Sequence, residues 1–262
     1  MPDAIPAPPD HAASNRDLRD EIRDYWSERA ATFDQDPGHR ITDGAERAAW
    51  AALFTRHLGP AAGRRLLDLA SGTGEIALLC RDLGFRVTGL DWSEPMLARA
   101  RGKAGDTVAF LQADAERTTL PTASQDVIVT RHLVWTLVDP TAAFAEWFRV
   151  LAPGGRLLIV DGDFVNRSLL GRLMARLAAP AHRGPGADLA ARHASILSRV
   201  HFSGGARGEA VAALLVAAGF GDIRLDTRFA PIHRAQARGL GFRKTLLRRS
   251  EHRYAISATK PS

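Results

Sequence analysis

From Arg65 onward, short apolar runs alternate with amphipathic stretches. "RLLDLA" (65–70), "RVTGLD" (86–91), "VAFLQAD" (108–114), "DVIVTRH" (126–132) and "RLLIVDGD" (156–163) read as strands. Runs this apolar belong to strands covered on both faces, as in a parallel sheet. Between them the period changes to that of a helix. Ile76, Leu79, Cys80 and Leu83 share one face of 74–83, and Gly84 stops that helix. "SEPMLARAR" starts with a capping Ser93 and has Pro95 in its first turn. Helix 140–151 turns Phe144, Phe148 and Leu151 inward and ends at the "PGG" turn, Pro153–Gly155. Helix 208–218 aligns Val211, Leu214, Leu215 and Ala218, and two final strands follow in "DIRLDTRF" and "YAISATK". The alternation predicts an α/β, doubly wound, mostly parallel seven-stranded sheet. A non-helical return through the basic stretch 231–253 predicts an antiparallel last strand.

Two segments fall outside this rhythm. Before it, Leu18, Ile22, Tyr25, Trp26 and Phe33 recur at helical spacing, "QDPGHR" breaks the pattern, and a second helix runs from Ala45 to Leu58. These predict an N-terminal helical lid over 15–60, preceded by a flexible Pro- and Ala-rich tail, 1–14. The core is then 61–262, interrupted by an inserted helical cap over 164–207. One cysteine, Cys80, rules out an internal disulfide. With no apolar run near the roughly 18 residues needed for a span, and no signal-peptide pattern in "MPDAIPAPPDHAASN", the expected location is cytoplasmic. The net charge is +6, and all but three of the 35 basic residues are arginine, a bias ascribed to composition before any nucleic-acid role.

The chemistry gathers in "LLDLASGTGEIALLC", Leu66–Cys80. Gly72-x-Gly74-x-x-Ala77 after a strand matches a loose dinucleotide fingerprint, with Asp91 at the expected distance for a ribose contact. Asp68 argues for another ligand. An anion at that strand end is awkward beside a pyrophosphate and favourable beside an α-ammonium group. Asp114, ending the third strand, suits an adenine amino donor.

At this point the stretch from Tyr25 to Lys260 resembles the class I S-adenosylmethionine-dependent methyltransferases of the small-molecule type. "LLDLASGTGEIALLC", "GLDWSEPMLARAR", "QADAERTTLP", "DVIVTRHLVWTLVDP" and "EWFRVLAPGGRLLIVD" follow that family's motifs in order. The family commonly has glycine where this chain has Ala70. The resemblance implies S-adenosylmethionine as cofactor. Ala70, Ser71, Gly72 and Gly74 would approach its methionyl part and Asp68 its ammonium. Asp91 would take the ribose hydroxyls, Trp92 and Met96 the adenine face, and Asp114 and Ala115 the adenine edge. Arg131 and His132 would line the floor.

The acceptor is expected to be a small organic molecule methylated at oxygen or nitrogen, with His132 as candidate catalytic base. Tyr25, Trp26, Phe33, His39, Trp135, His193 and His201 are the candidate acceptor contacts. No metal is expected, because the eight-residue spacing of His193 and His201 suits no common ligand pattern. "TRHL" lacks the Asn/Asp-Pro-Pro-Tyr/Phe pattern of amide and base methylation, which disfavours nucleic acid as acceptor. Two alternatives stay open. The cap arginines Arg167, Arg172, Arg176, Arg183, Arg192 and Arg199, interleaved with leucines over 169–177, could bring the enzyme to a membrane-borne lipid or quinone. The cap and 231–253 could instead bind nucleic-acid phosphates. Membrane contact is not favoured, and the expected state is monomer or homodimer.

Overall fold

A computed structural model describes residues 17–36, 38–41, 44–166, 187–239, 245 and 251–262. The expected tail, the cap segment 167–186 with four of its arginines, and most of 240–250 lie outside the described residues. Seven strands form one sheet: β1 (Arg65–Leu69), β2 (Arg86–Asp91), β3 (Ala109–Gln112), β4 (Gln125–Arg131), β5 (Leu151–Asp163), β6 (Gly221–Asp226) and β7 (His252–Thr259). Their order is β3-β2-β1-β4-β5-β7-β6, and β7 alone runs antiparallel to its neighbours. The antiparallel edge agrees with the sequence expectation. The return to it does not, because a short helix occupies Ala230–Gln236. Pro231 sits in that helix's first turn, where its missing N–H is no loss.

The described helices are α1 (Leu18–Arg29), α2 (Gly44–Leu58), α3 (Glu75–Asp82), α4 (Glu94–Ala104), α5 (Pro140–Val150), α6 (Ala187–Leu197), α7 (Gly208–Ala217) and α8 (Ala230–Gln236). Side chains cap several of them. Asp17 accepts from Arg19 N at 2.8 Å, Ser93 from Met96 N at 3.3 Å, and Asp139 from Ala142 N at 3.0 Å. Helix α1 ends at Arg29, so Phe33 falls in a separate 3₁₀ turn, Phe33–Gln35, rather than continuing the helix.

Alternate strand residues feed two cores. Leu67, Leu69, Ile128, Leu157 and Ile159 pack with Phe144, Trp147, Val211 and Leu215 under α5 and α7. Leu66, Val127, Val129, Leu158 and Val160 pack with Trp50, Phe54, Ile76, Leu79 and Phe229 on the other face. Both faces of β1, β4 and the inner part of β5 are dry, which is why these strands read as near-continuous apolar runs, whereas β3, at the sheet edge, is largely exposed, contrary to the sequence expectation. At about 25 cal/mol per Å² of apolar surface removed from water, these two layers supply the main stabilisation.

One polar cluster ties α2 to the sheet edge. His57 donates from Nε2 to Asp226 at 3.1 Å and accepts from the Ser257 hydroxyl at Nδ1, 3.1 Å. Asp226 also accepts from Arg56 and Arg228 at 2.9 Å. Burial pushes the Asp226 carboxyl up, but its hydrogen bonds to Arg228 and the charge of Arg56 outweigh this and hold it well below the usual carboxylate range. Its stabilising contribution is therefore complete above the unfolded-state value near 4 and is lost as the pH falls below it. Thermal melts from pH 7 to pH 3 should show wild type losing its advantage over Asp226→Asn as acid is added; a constant difference would refute this assignment.

Candidate functional site

A cavity of about 360 Å³ opens at the carboxyl ends of β1–β5, the usual place for a site in an open α/β sheet. Of the residues expected to hold a cofactor, Ala70, Gly72, Asp91, Trp92, Met96, Asp114, Ala115 and Arg131 line it. Asp68, Ser71 and Gly74 do not; they stand behind the turn that forms its wall. The turn needs left-handed backbone. Gly72 has φ 53° and Gly74 φ 85°, while Ala70 takes φ 52° despite its Cβ. A Cβ at Gly74 would also meet that of Ala100 at 3.1 Å.

The carboxylates differ in their surroundings. Asp91 accepts from Gly72 N and Ser93 N, each at 2.8 Å, so backbone amides fix its plane toward the cavity. Burial pushes it up to about 6 against those hydrogen bonds. Asp68 is 1% exposed, and its Oδ2 has no hydrogen-bond partner. Burial pushes it up to about 8, opposed by the charge of Arg131. Asp114 is raised by burial as well; it accepts from Glu116 N at 2.9 Å and pairs with Arg19 at 3.6 Å.

The N-terminal cover is fastened across this end. Arg19 of α1 donates to Glu116 at 2.6 Å, and Glu116 also accepts from Val138 N at 2.7 Å. Ser27 donates to Ser93 at 2.9 Å, Arg23 lies 5.6 Å over the Trp92 ring, and Asp34 takes Thr73 at 2.5 Å and Lys103 at 2.6 Å. The Arg19–Glu116 pair was invisible in the sequence, because 97 positions separate the two residues, although Glu116 lies within "QADAERTTLP".

The other half of the cavity is aromatic. Trp26, Phe33, His39, His132, Trp135 and Phe164 line it. His39 stacks on Phe33 with centroids 4.1 Å apart and donates from Nδ1 to the Phe33 carbonyl at 3.0 Å. That bond places the lone pair of the neutral ring on Nε2. The His132 ring lies 6.4 Å from His39 and 5.5 Å from Phe164, on backbone at φ 63°. Its carbonyl accepts from the Trp135 indole at 3.0 Å. Arg131 reaches the wall but sends its guanidinium to the His39 carbonyl, 2.6 Å, and over Trp50, 5.4 Å. It braces the cover loop instead of presenting its charge as a floor.

Three expected acceptor contacts are not on the cavity. Tyr25 and His193 stack on each other 5.1 Å apart and back the wall, with His193 edge-on to Trp135 at 5.6 Å. Burial and the charge of Arg29 lower His193, so it packs as a neutral ring. His201 is exposed beside Phe202 and belongs to the surface. Phe164, Glu251 and Arg253 line the cavity without having been expected there; Glu251 and Arg253 belong to the basic stretch 231–253, which the sequence offered only for nucleic-acid phosphates.

Comparison with known proteins bears on this geometry. A methyltransferase domain model matches residues 67–159. A demethylmenaquinone methyltransferase of Thermus thermophilus is 42% identical over 105 residues, 38% of this chain and 48% of that protein. A ubiquinone/menaquinone biosynthesis C-methyltransferase of Bdellovibrio bacteriovorus is 32% identical over 157 residues, 58% of this chain and 66% of that protein. The chain thus spans about half to just under two thirds of these curated relatives. Two solved structures share the fold. Phosphoethanolamine N-methyltransferase 2 of Haemonchus contortus, in complex with S-adenosyl-L-methionine, superposes with TM-score 0.65 at 18% identity over 95% of this chain and 61% of its own. Geranyl diphosphate C-methyltransferase of Streptomyces coelicolor, in complex with S-adenosyl-L-homocysteine, gives 0.62 at 17% identity over 95% of this chain and 100% of its own.

Behind the aromatic half, Asp161 of β5 accepts from Val134 N at 2.7 Å and Gly162 N at 2.8 Å, while burial pushes it up to about 7. It holds the loop that carries His132 and Trp135. Removing the acceptor leaves buried amides without a partner. Asp161→Ala should therefore lose about 2–4 kcal/mol in urea unfolding, and Asp161→Asn clearly less; equal losses would show that the carboxyl oxygens do not organise this loop.

Proposed function

We propose that this class I S-adenosylmethionine-dependent methyltransferase places the methyl group on a ring carbon of a flat, hydroxylated aromatic acceptor of the phenol or quinol type. The aromatic half of the cavity carries the reading. Trp26, Phe33, Trp135 and Phe164 surround a slot whose polar edge is two imidazoles, His39 and His132. Flat faces and few polar groups suit a planar ring bearing hydroxyls. The carbon acceptor is supported by the name of the Bdellovibrio relative, a C-methyltransferase, in preference to the oxygen or nitrogen expected from the sequence.

The residues at the other end fit S-adenosylmethionine. Asp68 offers a buried carboxyl oxygen without a partner, and the left-handed turn at Gly72 lets backbone approach a ligand closely. Asp68 would face the ammonium across the turn, Asp91 the ribose hydroxyls, and Asp114 the adenine amino group. When bound, the cofactor supplies an electrophilic methyl on a positively charged sulfur that leaves readily. The chain's task is alignment and exclusion of water. The cover, pinned by Arg19–Glu116 and Ser27–Ser93, closes one side. A phenol attacking through its ring gives up its hydroxyl proton as the carbon–methyl bond forms and the bond to sulfur breaks. The dienone then loses the hydrogen of that carbon to a base and regains its hydroxyl proton, and His39 or His132 would lie beside that hydroxyl.

A second reading, methyl transfer to the acceptor oxygen, needs the same base and the same slot. Incubation with methyl-¹³C S-adenosylmethionine and dihydroxylated benzenes or naphthalenes separates the two, since carbon-bound and oxygen-bound methyl carbons differ in NMR shift. No product on any of these rings, from protein that binds S-adenosylhomocysteine, would end the reading. His39→Asn should lower turnover about 10²- to 10⁴-fold while S-adenosylhomocysteine affinity holds within about twofold.

Cofactor affinity should also depend on pH. Asp68 is mostly protonated at pH 7 in the free protein, and a neighbouring ammonium favours its charged form. Binding then releases a proton, so affinity rises as the pH is raised from 6 toward about 8. Calorimetry in buffers of different ionisation enthalpy reads this release directly, and Asp68→Asn should abolish it.

A further inference from the structure

The aromatic half of the cavity ends at Glu251 and Arg253, and both also line a second cavity of about 770 Å³. Arg253 lies on β7 opposite Gly162 of β5, next to the strand end that carries Asp161. It is 7% exposed. A guanidinium so enclosed needs acceptors for its five N–H groups. Glu251 takes one, from Nε at 2.8 Å. Among the described residues, that carboxylate is the acceptor its side chain meets, and the terminal nitrogens have none. The Glu251 bond also fixes the plane of the group, so its outer edge is a preset fork at the junction of the two cavities.

Such a fork matches the two oxygens of a carboxylate or phosphate. We infer that Arg253 anchors an oxyanion carried by the methyl acceptor. The acceptor is then a hydroxylated aromatic carboxylate or aryl phosphate, with its ring in the slot and its anionic group at the junction. This rests on the proposed ring acceptor for the occupant of the slot, but not for the anion site itself. Glu251 offsets one charge at the junction, Arg131 contributes positive charge from behind the wall, and burial raises the Asp161 carboxyl to about 7. The second cavity bears Arg207, Arg234, Asp163 and Glu209 on its walls, so it suits a polar, hydrated substituent rather than a hydrocarbon tail.

The test titrates the full chain, saturated with S-adenosylhomocysteine, with two matched pairs: 2,5-dihydroxybenzoate against 1,4-dihydroxybenzene, and phenyl phosphate against phenol. Tryptophan fluorescence reports binding, since Trp26 and Trp135 line the slot. In wild type at least one anion should bind ten times more tightly than its neutral partner, and the favoured pair tells carboxylate from phosphate. Arg253→Gln should bring that ratio within about twofold of one, and Arg253→Lys should keep part of it; unchanged S-adenosylhomocysteine affinity shows that both variants are folded. Equal binding of both pairs by wild type, or a preference that survives in Arg253→Gln, overturns the assignment. Anions that distinguish wild type from Arg253→Gln while neither neutral ring binds would uphold Arg253 and remove the ring reading.

Discussion

Four carboxyl groups, Asp68, Asp91, Asp114 and Asp161, stand near the carboxyl edge of one sheet, and burial raises every one of them. Gathering like charges in a low-dielectric edge is unfavourable unless something answers them. The fold answers each differently. Backbone amides hold Asp91 and Asp161, and Arg19 reaches Asp114 from α1. For Asp68 the fold supplies the charge of Arg131 and a backbone hydrogen bond from Ala77, and leaves Oδ2 unanswered. The turn, the lid and the loop after β4 are arranged around these answers, and at Asp68 the answer is incomplete.

The same logic explains the division of the cavity. Its acidic half is built by the sheet and is rigid by construction, since β1, β2 and β4 are covered on both faces. Its aromatic half is assembled from three separate pieces of chain: the cover gives Trp26, Phe33 and His39, the loop after β4 gives His132 and Trp135, and the residue after β5 is Phe164. Arg131 couples the halves, rooted at the end of β4 with its guanidinium bound to the His39 carbonyl.

What the sequence disclosed follows from range. The strands, most helix stops and the acids at the ends of β1, β2 and β3 are local patterns: an apolar run, a glycine turn and a carboxylate within a few residues of each other. They carried the fold and most of the acidic half of the cavity. The turn residues that fell behind that wall, Ser71 and Gly74, share the motif but point elsewhere, which spacing alone does not tell. Tyr25 and His193 failed as cavity residues for a related reason, since each satisfies an aromatic partner in the other. Arg19, Glu116 and Arg253 were illegible because tertiary pairing alone makes them meaningful. Arg253 reaches the cavity through an antiparallel strand whose register is fixed by β5, far away in the chain.

The left-handed backbone at residue 132 has a consequence for how this site could change over time. With φ at 63°, the position is open to glycine and, at modest strain, to asparagine, aspartate or histidine, while β-branched side chains are all but barred. Apart from glycine, the residues most at ease there carry a proton donor or acceptor. The handedness of one peptide thus acts as a sieve on heredity: variants that keep the loop's shape tend to keep a polar, proton-handling group in the aromatic half of the cavity.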